Sequence, residues 1–173
     1  MGSNAEQDAA RDTAREAEPG TEADDVPGWF WEVLAATRPR LTALESWLGS
    51  RPREVLEEFA LAHECAAESL ADYADGVCVD GDGWSEDDTE DLCAWVVAQG
   101  HGFWEAVRTG RLRLDEAARL YLGRTPPPPG HPAPWDDEVA DPRHRGYRSP
   151  AAIVHGVYRT RFAEELHERL GHH

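Results

Sequence analysis

The chain has 173 residues, and its 34 acidic side chains against 17 basic ones give a formal net charge of −17. Every basic residue is Arg, in a background rich in Ala, Gly and Pro, which points to a GC-rich bacterial genome. The charge disfavours nucleic acid, whose phosphates an acidic surface repels. No apolar run approaches the roughly 20 residues needed to cross a bilayer, and the start lacks the basic and apolar regions of a signal peptide. A cytoplasmic protein with no membrane partner is expected.

Residues 1–26 hold eight acids, two Arg and almost no large apolar side chain, so ordering them would cost backbone entropy that burial does not offset. They are read as a disordered acidic tail. Residues 27–123 are read as an all-α domain, a compact multi-helix bundle. Pro27 suits a first helical turn, and Trp29, Phe30, Trp31, Val33 and Leu34 follow as a broad apolar face until Pro39 interrupts it. Leu41, Leu44, Trp47 and Leu48 recur at helical spacing up to Gly49. Ser50 and Pro52 then read as the capped start of a long helix from about Pro52 to Asp75, marked by Val55, Leu56, Phe59, Ala62, His63, Ala66, Leu70 and Tyr73.

Gly76 to Gly83 reads as a glycine-bearing loop. Ser85 followed by Asp88 has capping-box spacing and starts a helix from Glu86 to Gln99 that buries Leu92, Trp95 and Val96. Gly100 and Gly102 loosen the backbone around His101, after which Phe103, Trp104 and Val107 resume the apolar face and Gly110 ends it. A short helix follows from Leu114. Thr125 to Trp135 holds six Pro in eleven residues, which forbids helix and favours extended polyproline II. Residues 124–148 are therefore read as a Pro-rich linker leading to a C-terminal helix over 149–171, capped by Ser149-Pro150, with Val154, Val157, Tyr158, Phe162, Leu166 and Leu170 on one face.

The run Phe30-Trp31-Glu32, the helix around Phe59, Ser85-Glu86-Asp87-Asp88, Trp95-Val96-Val97, Gln99-Gly100 and Trp104-Glu105-Ala106 resembles the bacterial domain-of-unknown-function family 4240 over roughly residues 29–108. The resemblance implies a compact helical domain of the bacterial cytosol and brings no activity with it. The family reads Gln-Gly-Arg where this chain has Gln99-Gly100-His101, so any anion-binding role of that Arg does not carry over.

Each candidate for chemistry has a plainer structural use. Asp80-Gly81-Asp82-Gly83 begins like a calcium loop, but Trp84 and Ser85 stand where further ligand and turn residues belong. A solvated turn explains it. His63-Glu64-Cys65 offers ligand types whose i and i+2 side chains diverge on a helix, and Cys65, Cys78 and Cys93 form no C-x-x-C pair, so three reduced core thiols are expected. Asp87 and Asp91 read as an acidic first turn favoured by the helix dipole, and Glu164-Glu165-x-His167 misses the di-metal register. No metal and no cofactor are expected.

His101 between two glycines is the titratable group best placed to enter a site, with Gln99 beside it and Trp31, Trp95 and Trp104 as possible walls of an apolar cleft. The expected function is a non-enzymatic intracellular binding or regulatory module whose partner is a protein or a small molecule. The alternative is a ligand-binding protein or enzyme with a pocket near Trp31, Trp95, Gln99 and His101. Nucleic acid would need the Arg-rich end, Arg143, Arg145, Arg148 and Arg159.

Overall fold

The computed structural model describes residues 26–70, 77–136 and 149–171. The reading of 1–26 as a disordered tail thus concerns residues outside those described, apart from Val26, which packs on the core. Among the described residues the fold is all-α with one two-stranded hairpin. The elements are α1 (Gly28–Thr37), α2 (Leu41–Gly49), α3 (Arg53–Glu68), β1 (Cys78–Val79), β2 (Asp82–Gly83), α4 (Glu86–Ala98), α5 (His101–Arg108), α6 (Leu114–Tyr121), α7 (Pro150–Phe162) and α8 (Leu166–Leu170).

One core joins them. Phe30, Trp31 and Leu34 of α1, the leucines of α2, and Leu56, Phe59, Ala60 and Ala66 of α3 meet Leu92, Val96 and Val97 of α4 and Ile153, Val154 and Tyr158 of α7. α2 packs chiefly on α7, and α3 lies between α4 and α7. The C-terminal helix is therefore part of the bundle. Its tyrosine is fully buried, and the hydroxyl donates to Glu57 Oε1 at 2.8 Å.

Helix α3 is shorter than its apolar period predicts, ending at Glu68 instead of near Asp75. The reason is competition for one carbonyl. Continuing the helix would send the Leu70 amide to Ala66 O, but that oxygen already accepts from Trp104 Nε1 at 2.8 Å and from Ser69 Oγ at 2.7 Å. The Leu70 amide bonds Ala67 O instead, and the helix closes. Tyr73 and Asp75 lie outside the described residues.

Ser50 does not cap α3. Its hydroxyl turns back to Trp47 O at 2.7 Å and finishes α2, while Pro52 precedes α3 with no side-chain cap. The stretch read as a loop contains a hairpin: Cys78 pairs with Gly83 and Val79 with Asp82. Asp80 and Gly81 between them both have positive φ, 56° and 94°, the requirement of a type I′ turn that Asp-Gly meets. The single C-terminal helix is two, because Ala163 adopts the left-handed conformation at φ 55° and Glu164 turns aside to accept from both terminal guanidinium nitrogens of Arg53 at 2.9 and 3.2 Å.

The proline-rich segment does not hang free as far as Asp136. Trp135 is 1% exposed, and its indole donates to Ala98 O at 3.0 Å while the Arg38 guanidinium lies 4.9 Å from its ring centre. Arg38 also donates to Ala133 O and to Ala98 O. Asp136 accepts the Leu41 amide at 3.0 Å and donates its own amide to Pro39 O at 2.9 Å. It thereby supplies the start of α2 with the cap that Arg40 lacks. The rest of the segment read as linker, 137–148, lies outside the described residues.

Candidate functional site

The break between α4 and α5 decides where the candidate residues go. Ser85 starts α4 with the expected capping box, its hydroxyl accepting from Asp88 N at 3.1 Å. Gln99 ends that helix and Gly100 takes φ 95°, a conformation costly for any side chain with a Cβ. The reversal makes His101 the first residue of α5 and places Trp104 one turn later on the inner side.

Three of the five candidates come together. Trp31 of α1 lies 5.3 Å from His101 and 5.0 Å from Trp104, and His101 is 5.7 Å from Trp104. Trp31 and Trp104 are buried and His101 is exposed on top of them. Beneath, Arg108 stacks over Trp104 at 5.1 Å, with its buried Nε making no hydrogen bond.

Trp95 and Gln99 go elsewhere. Trp95 belongs to a second aromatic group, 5.6 Å from Phe103, 5.5 Å from Tyr121 and 6.4 Å from His131, with Trp84 6.3 Å beyond Tyr121. His131 comes from the proline segment and also meets Phe103 edge-on at 5.2 Å. Gln99 is 3% exposed, and its amide donates to Trp95 O at 3.2 Å, within its own helix. Phe103, Tyr121, His131, Trp135 and Arg38 had no place among the candidates. The one local hint was that Trp135 and His131 are large or titratable residues in an otherwise small, proline-rich run.

His63 is 4% exposed, edge-on to Phe30 at 6.2 Å, with Nε2 buried and unbonded. Burial pushes its pKa down to about 4, and His155 of α7 adds to the depression. The imidazole is held neutral inside the core. Cys65, two residues on, is exposed, as its divergence on the helix requires, so the His63-Glu64-Cys65 trio does not converge. Cys78 is also exposed, and only Cys93 of the three thiols is buried, its pKa pushed up to about 11 by burial and by Glu90. The expectation of three core thiols is corrected at two positions.

The acidic groups are used in pairs. Asp80 at the hairpin tip meets Arg124 at 2.7 Å and Arg119 at 3.5 Å, which hold its carboxyl below the usual range and tie the hairpin to α6. Arg113 and Arg119 do the same for Asp115. Asp91 is raised, first by burial and then by Asp88 and Asp87. Among the described residues no group of three His, Cys, Asp or Glu side chains could hold a metal ion. Arg159 faces Glu165 at 3.5 Å and Arg169 faces Glu57 at 3.3 Å. Arg143, Arg145 and Arg148 lie outside the described residues. No described helix is long and apolar enough to cross a membrane.

The chain matches no family model, and neither a curated protein nor a solved structure is significantly similar to it.

Proposed function

We propose that this chain is a non-enzymatic intracellular binding or regulatory module of bacterial origin, acting through a protein partner, and that its likeness to family 4240 reflects membership. The observation that supports the binding reading is how the candidate side chains are spent. Trp31, Trp95, Trp104 and Gln99 lie inside the bundle, and the Trp104 indole and Gln99 amide bond backbone carbonyls. Such groups position helices. They leave the helix surfaces and the proline segment to meet other molecules.

Affinity capture from the native cell, followed by reconstitution from purified components, tests the reading. The expected result is a stoichiometric protein complex. Recovery of a bound small molecule by native mass spectrometry, with no partner that reconstitutes, would overturn it.

A second reading, a small-ligand site, is favoured by the convergence of Trp31, His101 and Trp104 within 5.0 to 5.7 Å beneath an exposed imidazole. Here an anion is the ligand, since an exposed imidazole over aromatic rings offers an N–H donor. Inorganic phosphate and acetate titrated against wild type and His101→Ala decide it. The wild type should bind and the variant should not. Equal binding by both proteins would remove the site.

A further inference from the structure

We infer that Pro126–Pro129 is a presented ligand, a rigid polyproline arm held out for a partner domain with an aromatic-lined groove. This rests on the reading of the chain as a partner-binding module and names the class of that partner. All four prolines are exposed, and Pro126 and Pro127 belong to no helix, strand or turn. Ring closure locks each φ near that of polyproline II, at about 3.1 Å per residue.

Both ends of the arm are fixed to the bundle. At its start the amides of Arg124 and Thr125 both donate to Arg119 O, at 2.8 and 3.3 Å, and the Arg124 guanidinium pairs with Asp80 at 2.7 Å. At its end the His131 amide donates to Pro128 O at 3.0 Å, and Gly130 between them has φ 83°. That is a type II turn with Pro129 and Gly130 at its centre, the residues such a turn favours. It reverses the chain so that His131 lies against Trp95 and Phe103, and Trp135 anchors in the core four residues later.

The chemistry names the partner. A tertiary amide has no N–H, so the arm cannot extend a sheet, and its recognition must come from flat pyrrolidine faces and carbonyl oxygens. Aromatic slots with indole or phenol donors supply both, and a preformed arm loses little entropy on docking. A connector alone would need only to span from α6 to the Trp135 anchor. It would not require four consecutive prolines on the outside of a segment pinned at both ends.

Isolated SH3, WW and EVH1 domains are suitable probes, each titrated in 15N-labelled form with the full chain. At least one should bind with a dissociation constant below roughly 1 mM, and Pro127→Ala combined with Pro128→Ala should weaken it at least about tenfold. Circular dichroism confirms that the variant folds, and Pro126→Ala alone, which leaves the turn intact, gives an independent reading in the same direction. Binding by none of the three domains, or binding unchanged by both variants, overturns the inference. A native partner that reconstitutes while the proline variants keep full affinity removes this inference and leaves the partner-binding function standing. Probe binding with no native partner that reconstitutes removes the partner-binding function, and this inference falls with it.

Discussion

The two aromatic groups flank the same glycine break yet are closed in different ways. Trp31, His101 and Trp104 are brought together by α1 and α5, and the group is anchored through the Trp104 indole on the last turn of α3. Trp95, Phe103 and Tyr121 come from α4, α5 and α6, and the imidazole of His131 is laid on them by a strap returning from α6. The first group is sealed by helices packed on helices, the second by a segment with no regular structure. A bundle can therefore complete its core with chain that no periodicity marks.

The largest test of that difference is Trp135→Ala. Losing a fully buried indole, its bond to Ala98 O and the Arg38 stack should cost about 3 to 5 kcal/mol in urea unfolding. Hydrogen exchange should quicken in α2 and around Trp95 before it does in α5. A loss under about 1 kcal/mol would mean that the strap is dispensable to the second group.

Acid probes the interior beside α1, where His63 meets Phe30. His63 is held near pKa 4 in the folded chain against an ordinary 6.5, so its contribution is complete above pH 6.5 and is lost as pH falls toward 4. The shift corresponds to about 3 kcal/mol. Unfolding free energies at pH 7.5, 5.5 and 4 should show that slope, and His63→Leu should flatten it. An unchanged slope in the variant would assign the acid lability elsewhere, first to His155, which is also lowered by burial.

Trp104→Phe keeps the apolar area but removes the donor to Ala66 O, and should cost about 1 kcal/mol. Since that donor competes with the Leu70 amide for the end of α3, amide exchange at Leu70 is the diagnostic readout. The smallest effect belongs to His101→Ala, expected within about 0.5 kcal/mol because the side chain is exposed. A larger loss would show that the imidazole holds Trp31 and Trp104 in place.

What the sequence made legible divides along the same line. The stripes of α1, α2, α4 and α6, the capping box at Ser85 and the Ser149-Pro150 start of α7 are local patterns, decided within one or two turns. The hairpin was legible too: Asp80-Gly81 is a strong two-residue turn signal, masked because each strand is only two residues long. The end of α3 was not legible, since it depends on an indole 38 residues away. For the candidate site, helical spacing separates Trp95 from Trp104, but only the fold brings Trp31 to His101, and Trp135 sits in no periodic pattern that marks it as core.

The carboxylate that completes the start of α2 lies 95 residues further along the chain. During synthesis at about 5–20 residues per second, α2 leaves the ribosome roughly 5 to 19 s before its cap exists. Its first amide stays with water for that interval, and its leucines lack the α7 surface for longer still. A premature stop before Asp136 would therefore release a chain whose second helix lacks that cap.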